Sequence, residues 1–89
     1  VVRRSVTVVN RLGLHARAAA RFVTLASQFD SEILVTRDNR QVNGKSIMGV
    51  MMLAAAQGTS LEIMASGRDE VDAVEKLAAL VQQRFGEAE

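Results

Sequence analysis

One histidine and two arginines, His15, Arg17 and Arg21, stand within Gly13-Leu14-His15-Ala16-Arg17-Ala18-Ala19-Ala20-Arg21 and are the side chains here best suited to chemistry. The stretch follows a β-type run and opens a helical pattern, so His15 falls at a predicted helix start. The first N–H groups of a helix have no acceptor within it and, together with the helix dipole, favour an anion. A neutral imidazole at that place can act as a nucleophile toward phosphorus. The phosphoryl oxygens so acquired would meet donors already in position. Arg17, in the first turn, can add charge-assisted hydrogen bonds. Arg21 is four residues on and shares that side of the helix, one turn further away. A lone histidine after a loop is also an ordinary surface residue, and solvated arginines are commoner than functional ones.

Ser46, thirty-one residues after His15, precedes Ile47-Met48-Gly49-Val50-Met51-Met52-Leu53. It is a natural helix N-cap, which alone explains a serine. A phosphate on it would also be favoured by the helix start, so it is a candidate regulatory position. The short helix that follows, read as about eight residues, is apolar on more sides than it can bury. Val50 and Leu53, with Met52, are expected inward, and Ile47, Met48 and Met51 partly outward, where methionine suits an adaptable binding surface. With no cysteine and one histidine, disulfides, thiolate metal sites and histidine-rich zinc sites are excluded. No metal and no cofactor is expected. There is no Gly-x-Ser-x-Gly or P-loop pattern and no second histidine to pass a proton along. Such a chain is read as modified by other proteins and handing the group onward, not as an enzyme.

The elements that must position these residues follow from hydrophobic periodicity. Val2 to Val9 alternates as a strand, and Asn10 to Leu14 connects it, with Gly13 as the flexible point. Ala16 to Ser27 is helical, with Ala16, Ala19, Ala20, Val23 and Ala26 near one stripe, widened by Phe22, Leu25 and Phe29. Glu32 to Arg37 and Arg40 to Asn43 read as strands about an Asp38-Asn39 turn. The helix of Ile47 to about Leu53 follows, ended by Gly58, and Ser60 to Ser66 is a fourth strand. The last helix starts at Asp69, with Asp72 three residues on resembling a capping box. Val71, Val74, Leu77, Ala78, Val81 and Phe85 repeat at helical spacing until Gly86. Strand, helix, strand, strand, helix, strand, helix predicts an α+β fold in two layers, with a largely antiparallel sheet covered on one face by helices.

Eighty-nine residues make one small domain, 1–89, large enough to fold without staples. No apolar run approaches a membrane span, so no membrane insertion is expected, and a cytoplasmic protein fits. Net charge is +1, but residues 1–45 carry eight Lys/Arg against three Asp/Glu and residues 46–89 three against seven. The basic half holds His15, which suits an anionic ligand or an acidic partner. A nucleic-acid-binding module is the alternative from another class, weakened by the absence of Trp and Tyr for stacking.

Gly13-Leu14-His15-Ala16-Arg17 resembles the active-site signature of HPr, the histidine-containing phosphocarrier family of the bacterial phosphoenolpyruvate-dependent sugar phosphotransferase system. Val42-Asn43-Gly44-Lys45-Ser46-Ile47-Met48-Gly49-Val50-Met51 is similar to the family's regulatory serine signature. The resemblance covers essentially the whole chain. It implies an open-faced β-sandwich, four antiparallel strands with three helices on one face. It implies that His15 takes a phosphoryl group on Nδ1 from enzyme I and gives it to enzyme IIA components, with Arg17 as the phosphate's partner. Ser46 would be the target of an HPr kinase/phosphorylase. Ala16, Ala20, Arg21, Ile47, Met48 and Met51 would form the docking surface; a monomer is the default expectation, with the oligomeric state open. The family usually has proline after the arginine, where this chain has Ala18. Alanine keeps the helix but gives up some preorganisation, so a slightly more mobile first turn with transfer intact is expected. Within the family, a nitrogen-related or purely regulatory branch is the alternative. A domain of a larger phosphoryl-transfer fusion is another, against which the residues from Gly86 read as a chain end.

Overall fold

The computed structural model describes residues 1–89. Strands β1 (Val2–Thr7), β2 (Glu32–Arg37), β3 (Arg40–Asn43) and β4 (Ser60–Ser66) form one antiparallel sheet in the order β1-β4-β2-β3. Val6 lies opposite Leu61, and Val35 opposite Ile63. Side chains alternate across a strand, so Val6, Ile33, Val35, Leu61, Ile63 and Ala65 all point to one face and are buried there. Helices α1 (Ala16–Ala26), α2 (Ile47–Met52) and α3 (Glu70–Gln82) cover that face. The opposite face is open, which makes this the expected open-faced α+β fold.

Helix α3 lies over β1 and β4, whereas α1 packs between α3 and α2. The buried face of α1 is Ala18, Ala19, Phe22, Val23 and Ala26. Ala16, assigned to that stripe above, is exposed, and Ala18 takes its place inside. A run of alanines has no size or polarity contrast to show which side meets the core. The strand pattern also stops sooner than expected, at Thr7. Val8 remains buried and still exchanges backbone hydrogen bonds with the β4 approach, Val8 N to Thr59 O at 2.9 Å and Gly58 N to Val8 O at 2.7 Å.

Helix α2 has six residues rather than eight, because Ala54 adopts φ 49° and turns the chain away before Gly58 is reached. Val50 and Leu53 are buried as expected, but Met52 is 60% exposed. Two positions past Val50 is a rotation of about 200°, the opposite side of the helix. In α3, Val71 is 56% exposed and Ala73 is buried in its stead. The expected capping box is absent: Asp69 makes no side-chain bond to its own helix. Its carboxylate instead accepts from the backbone N–H groups of Asp30 (2.9 Å) and Ser31 (3.0 Å) and from the Ser31 hydroxyl. These bonds, the Ser31 hydroxyl foremost, lower the Asp69 pKa to about 2. Asp72 pairs with Lys76 at 3.3 Å. Helix α3 stops at Gln82, before Gly86, and the buried Phe85 sits in a short 3-10 turn, Arg84–Gly86.

Candidate functional site

The loop before α1 is held from below. Gly13 has φ +68°, and a Cβ there would lie 2.5 Å from the Ala55 carbonyl oxygen, so only glycine allows the approach. That same oxygen accepts the Leu14 N–H at 2.9 Å, and the Leu14 side chain is buried. His15 is thereby fixed as the N-cap of α1, in extended conformation, and its carbonyl accepts the Ala19 N–H at 2.8 Å. The imidazole does not cap the helix. The N–H groups of Ala16, Arg17 and Ala18 donate to no protein acceptor, and the Arg17 guanidinium has neither an ion pair nor a hydrogen bond. A surface pocket of ≈ 580 Å³ opens here between Arg11, Leu12, His15 and Arg17 on one side and Glu87 and Glu89 on the other. The arrangement has one nucleophile, unused amide donors and an uncommitted cation around space for a small anion.

Two members of this site carry no local signal in the sequence: Asn10 and Glu87. One Glu87 carboxylate oxygen is bonded to His15 Nε2, and the other accepts from Asn10 Nδ2 at 2.9 Å. Asn10 Nδ2 also donates to the Gly13 carbonyl at 2.8 Å, and Asn10 is wholly buried. The Glu87 carboxyl is held below the usual carboxylate range, first by the Asn10 amide and then by the His15 ring, against an opposing burial effect. Seventy-two residues separate Glu87 from His15, too far for any motif spacing to register. Arg21 belongs to this tail side of the site: its guanidinium donates to the Phe85 carbonyl and adds to the field on Glu87. Arg11 donates its backbone N–H to Glu89 O at 2.7 Å and pairs with the Glu89 carboxylate at 2.6 Å.

Ser46 caps α2 as expected, its hydroxyl accepting the Gly49 N–H at 3.1 Å. The far end of α2 is tied from the β2–β3 hairpin. Arg40 Nη1 donates to Met52 O at 2.6 Å, and Arg37 Nη1 to Leu53 O at 2.8 Å and Ala54 O at 3.1 Å. These carbonyls would otherwise lack partners. Lys45 Nζ likewise donates to Phe29 O at 2.6 Å. Much of the cationic excess of residues 1–45 is therefore engaged in holding backbone. On α2, Ile47, Met48 and Met51 are exposed, Met48 at 72%. Ala16 is exposed and Ala20 half-buried on the neighbouring α1.

A four-stranded open-faced sheet with three helices on one face is the fold of a class of small phosphocarrier proteins, and solved structures of that class superpose on this one. HPr-C-His from Thermoanaerobacter tengcongensis matches with TM-score 0.96 and 44% identity over the whole of both chains. An HPr dimer from the same organism matches with TM-score 0.78 and 48% identity, covering 92% of this chain and 94% of that one. In sequence, the phosphocarrier protein HPr of Neisseria meningitidis is 51% identical over 89 residues, all of both chains. The family described as "PTS HPr component phosphorylation site" matches residues 2–83. The chain belongs to this family, the HPr phosphocarriers of the phosphotransferase system.

Proposed function

We propose that this chain takes a phosphoryl group on His15 from phosphorylated enzyme I and passes it to enzyme IIA components of the sugar phosphotransferase system. The observation that carries the reading is His15 as the N-cap of α1, with three unclaimed amides and the unpaired Arg17 beside it. Phosphoryl transfer asks mainly for position and electrostatics. The His15 Nδ1 lone pair forms the new bond to phosphorus while the donor's bond to phosphorus breaks, its electron pair returning to the donor. Arg17 and the helix start stabilise the phosphoryl oxygens without enclosing them, and the same steps run backwards onto the next acceptor. Docking uses Ala16, Ala20, Arg21, Ile47, Met48 and Met51, and the carrier works as a monomer in the cytoplasm.

Ser46 is, in this reading, a regulatory phosphorylation site for an HPr kinase/phosphorylase. A phosphate there places about two negative charges beside an apolar docking surface and repels an acidic partner without refolding the chain. Incubation with enzyme I and phosphoenolpyruvate tests the assignment of His15 and Arg17. Wild type acquires an acid-labile, base-stable phosphate, His15→Ala acquires none, and Arg17→Ala is labelled more slowly. Full labelling of His15→Ala refutes the assignment, and unchanged affinity of Ser46→Asp for enzyme I refutes the regulatory part.

A further inference from the structure

We propose that Glu87, oriented by Asn10, is a positioning residue for His15: it accepts the Nε2 proton and so reserves the Nδ1 lone pair for phosphorus. The inference rests on the carrier reading above and adds residues from outside its signature.

The geometry of the Asn10 amide comes first. Both groups that Asn10 Nδ2 meets, the Gly13 carbonyl and the Glu87 carboxylate, can only accept. Flipping the amide would set its oxygen against two acceptors, so the network itself decides its orientation. Asn10 Oδ1 is left buried without a partner. A buried polar atom in that state has a cost, and here it accompanies an amide committed to aiming a carboxylate. The ionised Glu87 can in turn only accept, so the hydrogen in its bond to His15 belongs to Nε2. A neutral ring with its proton on Nε2 has its lone pair on Nδ1.

The path of the chain to Glu87 is the second observation. Arg84 and Phe85 both adopt left-handed φ, 61° and 54°, and Gly86 follows at 80°. Consecutive non-glycine residues there are unfavourable and persist only when the surroundings impose them. The surroundings are visible: Phe85 is buried, its carbonyl accepts from Arg21, and Glu87 N donates to Arg84 O at 2.9 Å. The bend returns the segment after α3 to the loop before α1 and delivers the carboxylate to the imidazole.

The chemical consequence concerns charge. As Nδ1 bonds to phosphorus no proton leaves the ring, so the imidazole becomes cationic with its proton still on Nε2. Glu87 then faces a developing positive charge, as the buried carboxylate of a catalytic triad faces its imidazolium. The other charges around the pocket are Arg11, Arg17, Arg21 and Glu89; of these, Arg11 and Glu89 pair with each other, leaving Glu87 as the anion on the ring.

The test compares wild type, Glu87→Ala and Glu87→Asp by ¹⁵N NMR of the His15 ring and by the rate of phosphorylation from enzyme I and phosphoenolpyruvate. Wild type is expected to show a hydrogen-bonded Nε2–H. Glu87→Ala should lose that signature and transfer about tenfold to a hundredfold more slowly, the scale of a misplaced reacting group. Glu87→Asp, which keeps both acceptor oxygens, should recover part of each, and thermal unfolding should confirm folded variants. Ring shifts or a transfer rate in Glu87→Ala equal to wild type would overturn the proposal. If wild type itself accepts no phosphoryl group, the carrier reading falls instead, and the ring shifts alone then decide whether Glu87 sets the His15 tautomer.

Discussion

Replacing Gly13 by alanine should disrupt the seat of His15, and the cost can be apportioned by a second glycine. Gly13 and Gly58 both have positive φ, +68° and +91°, but a Cβ at Gly58 meets nothing within 4 Å, whereas one at Gly13 lies 2.5 Å from the Ala55 carbonyl oxygen. Both substitutions incur the left-handed penalty of an L-residue, about 1–2 kcal/mol. Both recover about 0.4–1 kcal/mol from a stiffer unfolded chain. Gly13→Ala alone adds an overpacking cost of about 1–3 kcal/mol. Pushing the carbonyl away also weakens the 2.9 Å Leu14–Ala55 hydrogen bond, worth about 1 kcal/mol. Gly58→Ala should therefore destabilise by about 1 kcal/mol and Gly13→Ala by about 3–4 kcal/mol, a large share of the ~5–15 kcal/mol that holds a domain together. At roughly 4–8 °C per kcal/mol for a chain of this size, the difference of about 2–3 kcal/mol should separate the two melting temperatures by roughly 8–24 °C. Urea denaturation followed by circular dichroism gives the free energies directly. Equal destabilisation by the two substitutions would show that the Ala55 contact does not fix the loop.

The Asp69 clasp on Ser31 should make stability fall in acid. Its folded pKa, about 2, lies below the ordinary value of about 3.9. The contribution is thus fully present above pH 5 and is lost as pH falls through 4 toward 2. Ser31→Ala, which removes the largest cause, should raise the Asp69 pKa in a carboxyl-detected NMR titration, and an unmoved titration would refute the assignment. Ala18→Pro should slow amide exchange across residues 15–20 by stiffening the first turn of α1 while leaving phosphotransfer intact; identical exchange would show that the turn is already rigid.

What periodicity makes legible is which residues share a face, and the sheet illustrates it: Ile33 and Val35 on β2, and Leu61, Ile63 and Ala65 on β4, alternate inward as read. Local chemistry is legible too, since the Ser46 cap needs only a hydroxyl and an amide three residues on. Illegible are contacts whose partner is remote. Asp69 has the place of an N-cap but serves the β2 approach at Asp30 and Ser31, thirty-nine and thirty-eight residues earlier. The carbonyls at the end of α2 are satisfied by Arg37 and Arg40 of a hairpin that precedes it. Glu87 reaches His15, and meets the Asn10 amide, only after α3 has crossed the sheet. His15 and Arg17 stand out in the sequence because they share one helical turn, whereas the carboxylate on the ring is supplied by tertiary structure.

The placement of His15 follows from having helices on one sheet face only. With α1 packed between α2 and α3, its N-terminal end, Ala16 and Arg17, is exposed at the molecular surface. A nucleophile in a deep cleft would exclude another protein's phosphorylated side chain, whereas one at a helix start offers donors while remaining accessible. In the carrier reading, Arg17 is left without a protein partner so that it is available to each incoming phosphoryl group. Glu87 is the counterpart on the other ring nitrogen, committed beforehand, so that the ring is oriented before a donor arrives. A grip strong enough to hold the phosphoryl group permanently would defeat onward transfer. In that reading the fixed contacts fall on the imidazole through Glu87, and the side that would take the phosphoryl group is left open.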